Sequence, residues 1–563
     1  IEGKKRAFTP AILSVGSLIV IGLLLGKFDI NIKAAKTTED SVVIFLALAA
    51  VLVFLTSIAW TGWRTFKIED TLRGVMIETA KTTSLVFIIL LGAAMLTAAF
   101  RAFGGEELVK DFLTGLPGGF ITKFLVVMFV IFLLGFFLDF IEIAVVVVPI
   151  IAPILLADTS ANVTGVWLGV MIGVNMQTSF LTPPFGFALF YLRGVAPATV
   201  RTIQMYKGVI PFILLQLVGL AIVGVFPTLV NYLPNKVNLT SETAPPPRNP
   251  RLQLCVEDFV FNQYDLRGEA LRKVIEDAKA LDISYLPKKN KAALTESFGS
   301  AEKTFSLVEN VRTTAATLVE YVPEYRPLHR EVREIQRKIL RFKRDIKNLE
   351  DELRRVEGDK SPIETEIAAL KDQAAEFESK IPDTWKAARA QYEKLSKGEK
   401  NARRKYRRNV DDAYDPVAEI LTIIADTDAF IALEEQINGL EQIVLTREPE
   451  EAMALIKEVA STVGAVKGAS PVRSKINKVR RALKGKKPNP EKAMKELAKA
   501  LKTYASELAW RKRAAQELQA GLSAYEEAIR DTIGLRQQER LSDEQASEVA
   551  SCRAVHRDIS LDF

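Results

Sequence analysis

The sequence predicts an all-α chain in two parts: a polytopic helical membrane domain with a re-entrant hairpin and a broken helix, then a helical, coiled-coil soluble domain. Three observations predict this. Charge is sparse at first and dense later: residues 1–240 hold 17 Lys/Arg and 13 Asp/Glu, and the rest hold 58 and 55. Five early stretches, roughly 11–27, 41–60, 83–103, 165–192 and 208–232, are apolar enough to span hydrocarbon. After residue 330, apolar residues recur at alternating spacings of three and four, the pattern of a coiled-coil seam. The predicted boundaries are 1–240 for the membrane domain, 241–250 for a proline-rich linker and 251–563 for the extension.

The elements follow in order. The first residue is Ile, so a fragment or a processed product is expected. The Lys4-Lys5-Arg6 start before the run 11–26 resembles a signal peptide, but no small-residue cleavage site follows and more membrane segments do. Segment 64–82 has apolar Phe66, Ile68, Leu72, Val75 and Met76 among charges, which predicts an amphipathic helix along the interface. Stretch 120–157 is too long for one span. Gly135, Asp139 and Glu142 lie at its middle, and Pro149 and Pro153 follow, so a re-entrant helical hairpin with its tip near Gly135–Asp139 is expected. Two ordinary spans joined by a tight turn are the alternative. Either way the number of crossings is odd. With the N-terminal end cytoplasmic, inside flanks carry ten Lys/Arg against seven outside. That orientation places the hairpin mouth and the extension on the periplasmic side.

Two interrupted apolar segments carry the functional reading. The first, GFFLDFIEIAVVVVPIIAP, runs from Gly135 to Pro153; the second, NMQTSFLTPPFGFALF, from Asn175 to Phe190. A carboxylate at membrane depth costs at least about 2.5 kcal/mol on insertion scales, and an unwound helix there must satisfy its backbone elsewhere. Paired broken segments point to the substrate and ion site of a secondary transporter. Asp139 is a candidate ligand for a coupling cation or a proton site; it is equally suited to cap the hairpin's second helix. Glu142, three residues on, shares its helix face and points more readily at water or a loop. Asn175, Gln177, Thr178, Ser179 and Thr182 supply neutral oxygens, and Pro183 and Pro184 release backbone carbonyls. Such oxygens suit Na⁺, placed here at Asp139 and Thr182. The helix start after the break suits an anionic substrate group. The plain alternative is a proline kink whose Ser and Thr patch the backbone.

The runs LLGFFLDFIEIAVVVVPIIAPIL and VWLGVMIGVNMQTSFLTPPFGFALFYLRGVAP, with FGGEELVKDFLTGLPGG before them, resemble the large permease subunit (DctM-like) of TRAP transporters, the tripartite ATP-independent periplasmic transporters. The resemblance covers about residues 60–235, the C-terminal half of such a permease. It implies a multi-pass protein of the bacterial inner membrane, not an enzyme. It also implies an organic anion, such as a dicarboxylate, moved in symport with Na⁺ and with no other cofactor. The implied partners are a small membrane subunit and a periplasmic solute-binding protein. By resemblance Gly135, Asp139, Thr182, Pro183, Pro184 and Gly186 fall on the family's motif positions. Two departures are noted. The family's N-terminal repeat is not in this chain, which leaves half of the site outside it, and the extension is atypical. The competing readings are a membrane-anchored coiled-coil scaffold and another hairpin-containing carboxylate symporter.

In the extension, Val332, Ile335, Ile339, Phe342, Ile346, Leu349, Leu353 and Val356 form one seam. Ile363, Ile367, Leu370, Ala374 and Phe377 form a second. Gly358 breaks between them, and Ser361–Glu364 reads as a capping box. An antiparallel hairpin is the simplest result; a continuous kinked coil is the alternative, and the seams also allow self-association. The basic runs Arg403–Arg408 and Arg473–Lys487 suit a membrane-lipid surface or, more simply, a solvated helix face. The two parts have net charges of only +4 and +3, so nucleic acid is not indicated. Cys255 and Cys552 flank the extension; no spacing brings them together, and unpaired structural thiols are expected. No metal cluster or catalytic arrangement is present in the pattern.

Overall fold

A computed structural model describes residues 8–28, 38–67, 71–116, 118–138, 140–183, 187–197, 199–484 and 488–562. No strand occurs among them. The chain divides into two compact units, residues 1–157 with 172–217, and residues 158–171 with 218–563.

The first unit opens with three apolar helices, α1 (Thr9–Lys27), α2 (Thr38–Phe66) and α3 (Thr71–Ala102). Together with α10 (Thr202–Val225), these are the described helices long and apolar enough to cross a membrane. Most of their large side chains are exposed, Phe45 by 71% and Leu52 by 64%, as expected of surfaces that meet lipid tails instead of water. α1 packs on α2, where Ser14 and Ser57 share a hydroxyl hydrogen bond of 2.6 Å and Ser17 and Ser57 are buried. Small hydroxyl residues let membrane helices approach closely and add a polar link.

No separate interfacial helix forms over 64–82. Residues 64–66 finish α2, residues 71–82 are the first turns of α3, and residues 68–70 lie outside the described segments. The reason is local. No proline interrupts Thr71–Ala102, and Lys81 pairs with Glu78 at 2.8 Å along the helix. A 32-residue helix is about 48 Å long, so its polar first turns continue beyond a 30 Å hydrocarbon layer.

The amphipathic α4 (Gly105–Gly115) follows a turn in which Gly104 adopts φ +75°. The hairpin legs and the part of the broken helix after residue 171 complete this unit.

In the second unit, α11 (Thr228–Thr240) leads into the proline-rich segment. That segment is a series of turns, with Pro247 buried and its carbonyl accepting from Gln253 Nε2 at 2.6 Å. Next come α12 (Gln253–Lys279), α13 (Lys288–Leu353), α14 (Ser361–Ser379) and α15 (Thr384–Ala425). α13 packs on both α14 and α15, giving the antiparallel hairpin. Val332, Ile339 and Ile346 of the first seam and Ile367 and Ala374 of the second are buried, so the seams are filled within the chain. α14 starts where expected, but without a capping box. Asp359 accepts from the Ser361 amide at 3.0 Å, a turn-type bond that takes over the capping role.

The short helices α16 (Thr427–Ile431), α17 (Glu434–Asn438) and α18 (Leu440–Thr446) join α19 (Pro449–Ala465) and α20 (Ser470–Ala482) around a core of Phe430, Ile437, Leu440, Ile456, Val463, Val472 and Ile476. α21 (Pro490–Glu517) runs through both cores of the unit. Leu497 and Tyr504 belong to this one, and Trp510 and Ala514 to the larger core of α12, α13, α15, α22 (Gln519–Arg530) and α23 (Asp543–Ala554). At the junction Arg511 is fully buried. It donates to Lys467 O at 2.8 Å and Ile423 O at 3.3 Å and lies 4.1 Å from the Phe430 ring centre.

Cys255 and Cys552 form a disulfide, against the expectation of free thiols. Their Cα atoms are 5.7 Å apart across a sequence separation of 297. Folding, not spacing, brings them together, because α12 packs on α23. Closing so long a loop stabilises by about 5–6 kcal/mol in the chain-entropy account. Part of the first basic run is internal as well. Arg403 (2.5 Å) and Arg407 both pair with Glu257, which is 2% exposed.

Where α13 passes Pro323 and Pro327, an aromatic stack holds it to α15. The Tyr325 ring lies 4.5 Å from Tyr392 and 5.8 Å from Trp385, with His329 at its edge. Burial first, then repulsion from Arg333, Arg326 and Arg389, pulls the imidazole down from 6.5 to about 4. Between these values the unfolded chain binds a proton that the folded chain refuses, so this stability is full above pH 6.5 and lost on acidification toward pH 4. A thermal melt of the protein should therefore weaken across that window, and His329→Gln should flatten the dependence.

Candidate functional site

The hairpin is built from α5 (Gly119–Leu134) and a second leg running Phe140–Leu156. At 16 and 17 residues each leg falls short of the about 20 residues that a span needs, and the two pack on each other. At the end of α5 the Gly135 amide donates to Ile131 O at 2.9 Å and the Leu138 amide to Leu134 O at 2.8 Å. The second leg is not one regular helix. It starts as α6 (Phe140–Glu142), widens into a π turn over Ile143–Val147, and resumes as α7 (Val148–Leu156). Pro149 has no N–H for Val145 and its ring crowds that carbonyl. Widening to i→i+5 bonding relieves the clash, and Val148 donates to Ile143 O. Such π turns recur at functional sites.

The broken helix is α8 (Gly165–Leu181) and α9 (Phe187–Val195). At its break the Thr182 amide turns back to Ser179 O at 3.1 Å. The hydroxyls serve the backbone. Thr178 donates to Val174 O (2.8 Å), Ser179 to Met176 O (2.7 Å) and Thr182 to Thr178 O (2.8 Å). Patching of this kind was the plain alternative for these residues. It uses each hydroxyl proton and leaves oxygen lone pairs that are still able to face a cation.

The hairpin and the break meet. Asn175, 6% exposed, donates from Nδ2 to Met128 O of α5 at 2.8 Å. Gly135 lies against Ser179 so closely that a Cβ on it would sit 2.8 Å from Ser179 Cβ, nearer still to the hydroxyl oxygen. Thr178 and Ser179 are buried; Thr182 and Pro183 are half-buried at the end of α8. The structure thus brings Gly135, Asn175, Thr178 and Ser179 together. Asp139, Pro184 and Gly186 lie outside the described residues. Among the described residues no group of His, Cys, Asp or Glu could hold a metal ion. The Met128 carbonyl and the π turn were not anticipated. Pro149 after four valines was the only signal for the latter.

Gly135→Ala should force α5 and α8 apart and cost about 1–3 kcal/mol, the usual penalty of overpacking. Ser179→Gly in the same chain should recover part of the loss. A double-mutant cycle of thermal stability measures the coupling, and strict additivity would contradict the close approach.

These features are similar to those of known proteins over part of the chain. The family described as "Tripartite ATP-independent periplasmic transporter, DctM component" matches residues 4–229. A curated relative, the sialic acid TRAP transporter permease protein SiaT of Haemophilus influenzae (strain 86-028NP), is 39% identical over 62 residues. That match covers 11% of this chain and 10% of the relative, so the chain spans only a small part of that relative's length. No solved structure matches. The hairpin and the broken helix packed on it both lie within residues 4–229, the stretch, less than half of the chain, that is similar to the DctM component of tripartite ATP-independent periplasmic transporters.

Proposed function

We propose that the chain is a membrane subunit of an ion-gradient-driven transporter that moves small organic anions, carboxylates among them, together with Na⁺. The carrying observation is the seating of Gly135 on Ser179, which joins a hairpin turn to a broken helix at one place. Na⁺ is assigned to Asp139 and to the oxygens of the break, Thr182 first. The substrate anion is assigned to the start of α9, where unpaired amides favour negative charge. The sialic acid named for the relative is itself a carboxylic acid, in keeping with this substrate class. A small membrane subunit and a periplasmic solute-binding protein complete the assembly on this reading.

The extension is assigned to the periplasmic face of the inner membrane. A disulfide persists in oxidising compartments and is rare in the cytosol, and the Cys255–Cys552 bridge closes nearly the whole extension. The Lys/Arg distribution around the spans favours the same side.

With partner subunits and any further permease segments supplied, uptake of an organic acid should follow an inward Na⁺ gradient. Asp139→Ala and Thr182→Ala should each lower it at least tenfold, on the order of 1.4 kcal/mol or more of lost binding; unchanged uptake would sink the site assignment. In intact cells a maleimide gel-shift reagent should label neither cysteine until a reductant is added. Free thiols in untreated cells would place the extension in the cytoplasm.

A further inference from the structure

α10 ends at a joint that its sequence requires. Pro227 has no N–H to give Val223 O, and its ring crowds that carbonyl. The Phe226 amide still donates to Ile222 O at 2.8 Å, whereas Val223 O accepts from the Trp167 indole Nε1 at 2.9 Å. The chain restarts as α11, with the Asn231 amide donating to Pro227 O at 3.0 Å. The uncharged, mostly apolar run from Gly208, just after Lys207, to Phe226 is 19 residues long. That is about 28 Å of helix, close to one hydrocarbon thickness, so α11 starts where the hydrocarbon ends. Residues 158–171 and everything from Val218 onward belong to one compact unit, which holds the joint, α11 and the extension together.

α11 has two unlike faces. The inner one packs on α23. Leu239 enters the larger core of the extension, and Asn231 is 2% exposed. Its Nδ2 donates to Ala554 O at 3.1 Å and meets His556 Nε2 at 3.3 Å, while its Oδ1 accepts from the Thr164 hydroxyl at 2.6 Å. With that face fixed, the helix cannot rotate to hide the other. On the outer face Leu229, Leu233 and Val237 are 61%, 63% and 59% exposed, and a spacing of four keeps them on one side. Val218, Ile222 and Phe226, also exposed, precede them at three- and four-residue spacings. The stripe therefore runs on from the face that α10 turns to lipid tails. Large apolar side chains in a row call for a cover, and the bilayer is what this row adjoins.

We propose that α11 lies in the boundary between lipid headgroups and acyl chains, with Leu229, Leu233 and Val237 immersed and the Asn231 face holding α23, so that lipid contact seats the extension on the membrane surface. A helix of this kind sinks about 5–10 Å into that boundary. Lys236 is half-buried between the two faces, where a lysine buries its stem and lifts its ammonium toward lipid phosphate. The inference rests on α10 being a crossing and not on the transport reading.

Cys255 and Cys552 are bonded to each other, so Leu233→Cys and Val237→Cys each supply one reduced thiol for a fluorophore that brightens in apolar surroundings. The full chain is reconstituted in vesicles of phosphatidylcholine and phosphatidylglycerol. Both labels should be quenched by a lipid nitroxide near the headgroup end of the acyl chain, about twofold more than by one near the methyl end. Asn238→Cys, exposed one residue on and about 100° around the helix, should respond to a water-soluble quencher and to neither lipid. Stronger quenching from the methyl end at Leu233→Cys and Val237→Cys would make α11 a continuation of the crossing. Bright labels that no lipid quenches would make a second copy of the chain the cover, and water-like labels would leave the stripe bare. Each of these three results overturns the proposal.

Discussion

A backbone that leaves the helical ladder inside hydrocarbon must find new partners for every N–H and C=O it frees, and this requirement shapes the whole membrane unit. Each unsatisfied group costs several kcal/mol in that medium. The break after α8 is therefore surrounded by short polar side chains, with Thr178, Ser179 and Thr182 each turned onto a carbonyl of their own helix. Asn175 reaches further and ties α8 to Met128 of α5. The hairpin meets the same requirement differently. Pro149 and Pro153 would leave two carbonyls bare in a strict α-helix, and the π turn redistributes the bonds before Pro149. The two elements approach most closely where one side chain is missing. Gly135 is that place. An alanine would meet Ser179 at less than a van der Waals distance.

The second unit solves a different problem. Beside its two apolar cores, charge is taken inside and matched. Glu257, almost fully buried, is shared between two arginines of α15. Arg403 also pairs with Glu399, so Glu257 is the charge that depends most on its partners, and removing both arginines would leave it buried and unpaired at a cost far above what the pairs contribute. Arg511 is the less usual case, since carbonyl oxygens and an aromatic face surround it. Burial depresses its pKa, with Glu507 and Asp426 acting the other way from nearby. Because α21 enters both cores, this guanidinium lies where they join.

How much of this was legible follows from which forces are local. The seams from Val332 to Val356 and from Ile363 to Phe377 were readable because a heptad records its partner's face in its own spacing. The hairpin and the break were readable because Gly135, Asp139 and the pair Pro183-Pro184 are costly in a membrane without a purpose. The contact of Gly135 with Ser179 was expected only as a facing of two segments; its closeness depends on packing that no spacing reports. The disulfide was missed for the same reason: Cys255 and Cys552 are neighbours only because α12 packs on α23. The segment 64–82 misled because its charges resemble an interfacial helix, whereas a helix without a breaker simply continues. At Ser361 the capping pattern was present, but Asp359, two residues earlier, competes for the same amide and wins.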